Sequence, residues 1–413
     1  MELTSTMPYK SRSRLATFLL IAGPGLVVML ADTDAGSIIT AAQSGAVWGY
    51  KLLILQFILM PILYIAQELT VRLGIVTGMG HGELIKKQFG KFWAWISVST
   101  LLITCIGAII SEFSGISGVG SLFGIPDWVS VSIAALFLAI IVLTGSYKSV
   151  ERIAIFLGLF ELVFFFVAWE AKPNLTDILN SFKNIPLHDP TYLYLTAANI
   201  GAVIMPWMIF YQQSAVVDKG LKITDLNPSR WDTAIGAVIT QLVMAAVLVA
   251  TAATIGKKSP GTALNTVHQI SEAMTPFIGD VGGKICFAIG MLGASMVAAI
   301  VVSLTAAWGL GEITGYKRSL SHHPKNAAWF YIVYLVVLAL GVAFVLSGIN
   351  LVRLNVGIEV MNAILLPIVL GFLFLLAYKS LPEKHRLKGT YAWVVFIILF
   401  ITSAFGVYGG FWS

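Results

Sequence analysis

The sequence predicts an all-α polytopic membrane protein, on the evidence of its composition, its apolar segments and the placement of its basic residues. Of the 413 residues, 58% are hydrophobic and only 11% are charged, whereas a soluble globular chain carries about 25% charged residues. This composition excludes a soluble enzyme, a nucleic-acid-binding domain and a disordered protein. Cys105 and Cys286 lie in apolar runs, so we expect free buried thiols and no disulfide framework.

Eleven apolar segments are long enough to cross about 30 Å of hydrocarbon. These predicted spans lie at about 15–48, 52–76, 93–122, 128–146, 153–170, 192–217, 231–256, 284–314, 327–348, 354–378 and 389–411. They predict one transmembrane domain over residues 1–413. Its first repeat covers about 15–170, its second repeat covers about 192–378, and one helix at about 389–411 is additional.

The basic residues are divided unevenly between the two sides of the predicted membrane. With the N-terminus inside, 19 of the 26 Lys and Arg residues lie on the inner side and seven on the outer side, as the positive-inside rule requires. Residues 1–10 are polar and lack the apolar core of a signal peptide. We therefore expect a multi-pass protein of the plasma membrane, of the bacterial inner-membrane type, with a cytoplasmic N-terminus and an external C-terminus.

The segments between spans are too short for a soluble catalytic domain. The longest, at about 171–191 and 257–283, contain roughly 20–27 residues, with a short surface helix expected around 262–274. The Gly-rich loop with which an ATP-driven pump holds phosphate is absent. We therefore predict that the protein is not an enzyme and uses no cofactor. Its expected partners are the lipid bilayer and a transported solute, which moves downhill or with an ion gradient, and no nucleic acid.

Six acidic residues lie deep in predicted spans, and no Lys or Arg is expected at equal depth to pair with them. They are Asp32, Asp34, Glu68, Glu112, Glu161 and Glu359. Charged side chains at membrane depth are costly and usually functional, so this acidic interior favours a cationic substrate. Glu68 and Glu161 belong to no matching motif, and for them helix packing explains the sequence at least as well as function does.

The first span contains a polar run at mid-depth, DTDAGS at residues 32–37. Gly and Ser weaken a continuous helix, and Asp32 and Asp34 add charge. A break there frees backbone carbonyls, which a bilayer tolerates only where they line a cavity or bind a ligand. The run predicts an ion or substrate site. The alternative is a kinked helix whose two aspartates face water.

The sixth span carries a matching interruption, GAVIMPW at residues 201–207. Pro206 lacks a backbone donor and clashes with the preceding turn, although a lone proline is more often a kink than a site. Interrupted helices at corresponding positions of two halves mark the midplane site of many transporters. The pair of breaks therefore predicts two inverted repeats of five helices, with helices 1 and 6 broken around a shared site.

Several motifs resemble those of the NRAMP (natural resistance-associated macrophage protein) family of divalent-metal transporters. DAGSIITAAQSGAVWGY at residues 34–50 is similar to the first-helix signature of that family, Asp-Pro-Gly-Asn followed by Gln-x-Gly and Gly-Tyr. The further matches are RLGIVTG at residues 72–78, Glu112 with FGIP at residues 123–126, and Met205-Pro206. The resemblance covers most of the chain and implies a LeuT-type fold and proton-coupled import of a divalent metal ion by alternating access.

The resemblance also implies the residues of the site. The implied metal ligands are Asp34, Ser37, Ala202 through a freed carbonyl, Met205 and Glu359, and Glu112, Trp207 and Gln212 belong to the proton pathway or the cavity. Asp32, an extra acid two residues before the signature Asp, is a further candidate ligand because its carboxylate is a hard oxygen donor. The Met205 thioether suits softer transition metals, whereas carboxylate and neutral oxygens suit harder ions. The set therefore favours Mn²⁺ or Fe²⁺, with Mg²⁺ left open. Met205 as a gap-filler in helix packing is the alternative.

The sequence departs from the family pattern at the site itself. Ala35 and Ser37 stand where the family has Pro and Asn, and Glu359 stands where it has Gln. Trp207 and Gln212 occupy the positions of two sixth-helix histidines. Histidine is the usual proton carrier near neutral pH, so these substitutions bring proton coupling into question.

Carboxyl groups are the remaining candidates for carrying a proton. Glu112 or the Asp32/Asp34 pair could do so, because a carboxyl close to another binds its proton more tightly. The histidines lie in predicted loops or near span ends, where we expect them to be solvated and to have no metal role: His81, His188, His268, His322, His323 and His385.

A second interpretation keeps the fold and changes the substrate to a small organic cation such as an amine. Trp207 beside Asp32, Asp34 and Glu359 would form an aromatic and acidic cage, in which cation–π attraction contributes about 0.5–2 kcal/mol. Trp207 as a packing aromatic that closes the cavity fits the sequence equally well. A channel or non-transporting sensor is a third and weaker alternative, because paired helix breaks suit alternating access.

Overall fold

The computed structural model describes residues 23–144, 146–276, 278–320, 322–348 and 351–412. Within these ranges every regular element is a helix, which confirms the predicted all-α architecture. The polar N-terminal residues and the beginning of the first predicted span lie outside the described residues.

The first half of the described chain begins with the two pieces of the first predicted span. Its helices are α1 (Pro24–Asp32), α2 (Ala35–Trp48), α3 (Leu53–Thr77), α4 (His81–Phe89), α5 (Lys91–Leu122), α6 (Asp127–Leu143), α7 (Tyr147–Gly158), α8 (Val163–Glu170) and α9 (Leu175–Ser181). Short 3₁₀ segments, Gly49–Leu52 and Leu159–Leu162, join α2 to α3 and α7 to α8.

The second half begins with the two pieces of the sixth predicted span. Its helices are α10 (Pro190–Val203), α11 (Pro206–Asp218), α12 (Leu226–Ala253), α13 (Ile255–Lys258), α14 (Val267–Met274), α15 (Asp280–Thr314), α16 (Ala328–Val345), α17 (Leu351–Lys379) and α18 (Gly389–Phe411). The expected surface helix is present as α14, although it begins later than predicted. Helices α4 and α9 lie in segments for which the sequence predicted no helix.

The helices confirm a polytopic membrane protein without fixing the number of spans. By length and hydropathy, nine helical stretches of the described residues can cross a membrane. One of the nine, Ala35–Thr77, runs continuously through α2, the 3₁₀ turn and α3. Helix α6 is also apolar but is too short to be counted among the nine. The count of eleven stays a prediction. Cys105 and Cys286 are free thiols, as expected, but only Cys105 is buried; the expected burial of Cys286 is wrong, since that residue is half-buried.

Both predicted helix breaks are present. Thr33 and Asp34 separate α1 from α2, and Ile204 and Met205 separate α10 from α11. Met205 has extended backbone (φ −86°, ψ 137°) and Pro206 opens α11. Proline fits this position because the first N–H groups of a helix have no partner within the helix.

The neighbouring helices enclose the two breaks. Helix α12 packs against α1, α2 and α3, while α17 packs against α10 and α18. Helices α5 and α15 lie along one another, and α5 also contacts α2. The two breaks are therefore buried between helices of both halves of the chain.

The start of α1 is held by a carboxylate from the other half of the chain. Asp232 of α12 accepts hydrogen bonds from the backbone N–H groups of Gly23 at 3.1 Å and Gly25 at 2.8 Å. The first N–H groups of a helix need such partners, and the helix dipole favours a negative charge there. Gly23 also lies beside the Glu151–Lys219 ion pair, in which the two charged atoms are 2.8 Å apart. We call this set of contacts the α1 latch.

Two expectations about charged groups are wrong. Glu68 has cationic partners, since its carboxylate is 2.5 Å from Arg72 Nη2 and 2.7 Å from Arg230 Nε. His81 is not solvated: it is fully buried, with Nδ1 at 2.9 Å from the Gln213 side-chain oxygen. Burial lowers the pKa of His81 to about 4, because the charged form loses its hydration.

Candidate metal site at the helix breaks

Asp34 lies at the junction between the first-helix break and α2. Its Oδ1 accepts a hydrogen bond from the Ser37 backbone N–H at 2.7 Å, which caps α2. Its Oδ2 is buried and has no hydrogen-bond partner. A buried carboxylate oxygen without a partner is costly, so this atom is available to a cation.

Glu112 of α5 flanks the same helix start. Its Oε2 accepts a hydrogen bond from the Ala35 backbone N–H at 3.2 Å, and its Oε1 has no partner. The carboxyl groups of Glu112 and Asp34 are close enough to act on each other directly. The positive end of the α2 dipole therefore faces two neighbouring acids.

Ser37 and Ala202 connect the two breaks. The Ser37 hydroxyl donates a hydrogen bond to the Ala202 carbonyl oxygen at 3.0 Å. The structure therefore brings together the two neutral oxygen ligands that the resemblance implies, and they are bonded to each other. A cation that bound both oxygens would take the place of this hydrogen bond.

Glu359 of α17 reaches the first break through a gap that two glycines leave open. A Cβ atom at Gly36 would lie 2.2 Å from Glu359 Oε1, and a Cβ atom at Gly201 would lie 1.8 Å from the Glu359 carbonyl oxygen. Asn362 donates a hydrogen bond to Glu359 Oε2 at 3.0 Å. The carboxyl is thus placed by close helix packing and oriented by one amide.

Asp32 is turned toward α12. Its Oδ2 accepts a hydrogen bond from the Thr240 hydroxyl at 3.3 Å, and its Oδ1 is buried without a partner. Asp32 and Asp34 flank Thr33 and make no hydrogen bonds to the same groups. Asp32 therefore has a hydrogen-bond partner, Thr240, that Asp34 does not share.

Three sixth-helix residues differ in what they offer the site. Met205 lies at the break and is fully buried. Trp207 is also fully buried, and its indole N–H has no hydrogen-bond partner. Gln212 lies further along α11, where its amide bridges α3 and α12: its oxygen accepts from Thr70 at 3.3 Å and its Nε2 donates to Thr233 at 2.7 Å.

Several acidic side chains in the described part of the chain lie near the breaks, but too few of them converge to coordinate a metal ion by themselves. Among the described residues, no three Asp, Glu, His or Cys side chains converge on one point that could hold a metal ion. A cation at Asp34 would therefore be completed by neutral oxygens, the Met205 sulfur or retained water. Sequence reasoning did not identify Gly36, Gly201 or Asn362 as parts of the site. The only sequence signal for them was that both glycines stand beside a predicted break.

The chain matches the family described as Natural resistance-associated macrophage protein-like over residues 25–411. The divalent metal cation transporter MntH of Staphylococcus aureus (strain JH9) is 32% identical over 230 residues, which are 52% of this chain and 49% of that protein. The MntH protein of strain Newman gives the same figures. The chain thus spans about half the length of the curated relatives that it matches.

Solved structures share the fold at low sequence identity. A manganese transporter of Eremococcus coleocola, in complex with an aromatic bis-isothiourea substituted compound, superposes with a TM-score of 0.75 and 19% identity, covering 97% of this chain and 88% of that one. MhsT in complex with L-phenylalanine gives a TM-score of 0.66 and 14% identity, covering 96% and 98%. The LeuT-type fold is confirmed. Because the family match extends over nearly the whole chain, the protein belongs to the natural resistance-associated macrophage protein-like (Nramp) family.

Proposed function

We propose that this protein is a secondary active transporter that imports a divalent metal ion by alternating access. The observation that carries the proposal is the unpartnered Oδ2 of Asp34, buried at the break between α1 and α2. The MntH relative is a divalent metal cation transporter and the Eremococcus coleocola structure is that of a manganese transporter, which supports the same substrate class. In this proposal the protein is a multi-pass protein of the plasma membrane, with its N-terminus cytoplasmic and its C-terminus outside.

The proposed ligands are Asp34, Ser37, the Ala202 carbonyl and Met205, with Glu359 at the edge of the site. Met205 at the sixth-helix break favours Mn²⁺ or Fe²⁺. Mg²⁺ remains the second candidate, because it keeps several waters and needs only one or two carboxylates. The absence of a convergent trio of acids among the described residues is compatible with an ion that retains part of its hydration.

In the proposed cycle, the helix breaks become accessible first from one side of the membrane and then from the other. The inner path opens when α1 separates from α12, which requires the Asp232 hydrogen bonds of the α1 latch to break. No proton carrier is assigned to α11, since Trp207 and Gln212 do not titrate near neutral pH. Glu112, which bonds to the Ala35 N–H beside Asp34, is the carboxyl that we propose as the proton carrier.

Uptake into proteoliposomes tests the proposal. Vesicles loaded with a metal-sensitive dye receive Mn²⁺, Mg²⁺ or Ca²⁺, and a pH-sensitive dye reports proton movement in parallel. We expect Mn²⁺ influx that Asp34→Asn abolishes and that Asp127→Asn, an exposed acid at the start of α6, leaves unchanged. Folded protein that moves none of these ions would refute divalent-metal transport.

An organic cation is the alternative substrate, favoured by the aromatic Trp207 at the sixth-helix break. Two observations weaken it: Trp207 is fully buried, and one carboxylate oxygen of Asp32 is already bonded to Thr240 of α12. Amine binding would produce calorimetric heat that EDTA leaves intact. Heat that EDTA abolishes would instead identify a metal.

A further inference from the structure

Glu161 is an acid for which the proposed metal site has no use. It lies in the 3₁₀ segment between α7 and α8, is 0% exposed, and has no hydrogen-bond partner on either carboxyl oxygen. Buried polar groups are nearly always paired, and a 3₁₀ stretch inside a helix often marks a functional position. An unpaired buried carboxyl at such a point is available to a cation.

The surroundings of Glu161 contain further oxygen atoms. Its carboxyl faces the side chain of Thr33, without a hydrogen bond of normal geometry. The Thr33 hydroxyl is 2.6 Å from the Thr240 hydroxyl, which in turn contacts Asp32. Since Asp32 Oδ1 is also unpartnered, three carboxylate oxygens and two hydroxyl groups lie in one buried region.

The backbone adds to the negative potential of this region. Helix α1 ends at Asp32, so its last carbonyl groups and the negative end of its dipole lie at Thr33. A Cβ atom at Gly158 would lie 2.7 Å from Leu30 Cδ1, which shows how closely α7 approaches α1 just before the 3₁₀ segment. In broken-helix transporters, the C-terminal ends of half-helices are places where small coupling cations bind.

We propose that Asp32, Thr33, Glu161 and Thr240 form a second cation site, which binds a monovalent ion of the Na⁺ class through oxygen atoms alone. A proton would occupy only one oxygen and leave the other unpartnered acceptors unsatisfied. Mg²⁺ keeps several waters, whereas all four side chains are buried, and Asp32, Thr240 and Thr33 are already joined by hydrogen bonds. Sulfur and nitrogen ligands, which select transition metals, are not among the four residues. The inference does not depend on which substrate binds at Asp34.

Na⁺ binding to the purified full-length protein tests this site in the absence of any divalent ion. The melting temperature is measured in EDTA with NaCl, KCl or N-methylglucamine chloride at constant ionic strength, and ²²Na⁺ binding is measured directly. We expect a saturable rise of the melting temperature with Na⁺ alone, because a ligand of the folded state stabilises it. Glu161→Gln should raise the half-saturating Na⁺ concentration at least tenfold.

Two further variants make the result specific. Thr240→Val keeps the side-chain shape, removes a proposed ligand and should also weaken the Na⁺ response. It therefore tests the site even if Glu161→Gln does not fold. Glu312→Gln is the matched control, because Glu312 is a buried acid whose oxygens already accept hydrogen bonds from Gly82 and Ser214; it should keep the wild-type Na⁺ response.

Three results would overturn the proposal. The first is equal stabilisation by all three cations, and the second is a Na⁺ response that Glu161→Gln and Thr240→Val leave unchanged. The third is a response that follows pH and not Na⁺, which would assign a proton to Glu161. Because no divalent ion is present, failure of metal uptake by the same protein leaves this test intact.

Discussion

The two helix breaks occupy corresponding positions in the two halves of the chain and differ in chemistry. The first break holds Asp32 and Asp34 and lies beside Glu112, whereas the sixth break is formed by Ile204 and Met205 and has no charged residue. Both are fully enclosed by neighbouring helices. In the proposed metal site, the first break therefore contributes the charged ligand, and the sixth break contributes neutral ligand atoms and determines the shape of the site.

The breaks are also stabilised differently. Asp34 caps α2 with its own carboxylate, while Met205 makes no side-chain cap and α11 begins with the fixed backbone of Pro206. Substitutions that remove charge at the first break should therefore reduce transport with little loss of stability. Substitutions that change side-chain volume should affect the fold. Four predictions test this contrast.

Asp34→Asn should produce the largest loss of transport. Asparagine caps a helix as well as aspartate does, so the hydrogen bond to Ser37 and the start of α2 should survive. The charge on Oδ2 is lost. Groups that only support a metal ligand typically cost 10–100-fold when removed, so we expect Mn²⁺ uptake to fall by about 100-fold or more. Initial rates in proteoliposomes measure this.

The melting temperature separates this loss from unfolding. Because Asp34→Asn replaces a buried, unpaired charge with a neutral amide, the variant should melt at the same temperature as the parent or higher. A variant with reduced uptake and a much lower melting temperature would show that Asp34 acts mainly in folding, which contradicts the proposed division between the breaks.

Gly36→Ala and Gly201→Ala should destabilise the fold, each by about 1–3 kcal/mol, because both overpack the contact with α17. Their responses to a second change should differ. The new methyl group at position 36 meets the Glu359 side chain, whereas that at position 201 meets the Glu359 backbone. Truncation by Glu359→Ala should therefore restore part of the melting temperature of Gly36→Ala and none of that of Gly201→Ala.

Equal rescue of both glycine variants would mean that α17 moves as a rigid unit away from the breaks. In that case the position of the Glu359 carboxyl at the first break would not depend on Gly36. Failure of Glu359→Ala to rescue either variant would point to the second neighbour of Gly36, the Ser111 hydroxyl, which would lie 2.8 Å from a Cβ atom at position 36.

The sequence predicted the breaks correctly because their causes are local. Acids with Gly and Ser at mid-span, and a proline in the matching span, are properties of short stretches. The hydrogen bond between Ser37 and Ala202 and the approach of Glu359 to Gly36 join segments more than 160 residues apart. They depend on helix packing, which no local pattern encodes. For the same reason the ion pair of Glu68 with Arg230, 162 residues away, and the absence of partners at Glu161 could not be predicted. The pair of Glu68 with Arg72 is different, because helical spacing of four residues is a local pattern that the sequence does contain.

Met205→Leu tests whether the sixth break contributes a ligand or only shape. Leucine and methionine exchange in a core at a cost below about 1.5 kcal/mol, so the fold should be kept while the sulfur is lost. We expect the preference for Mn²⁺ over Ca²⁺ to fall about tenfold, equivalent to about 1.4 kcal/mol, in competition uptake assays. An unchanged preference would show that Met205 only fills space.

Acidification should produce the smallest effect, through the helix that follows the sixth break. His81 contacts Gln213 and Phe210 of α11, and burial lowers its pKa to about 4, against about 6.5 in the unfolded chain. Between these values the unfolded state binds more protons, so stability falls as pH falls below about 6.5 and levels off below about 4. We expect a loss of about 1 kcal/mol between pH 7 and pH 5.5.

The variant His81→Gln isolates this contribution, because it removes the titrating ring and keeps a polar side chain beside Gln213. Melting temperatures of the variant and the parent, measured from pH 7 to pH 5, should converge as the pH falls. Only the parent loses the stability that neutral, buried His81 contributes at pH 7. Parallel curves would place the acid sensitivity elsewhere.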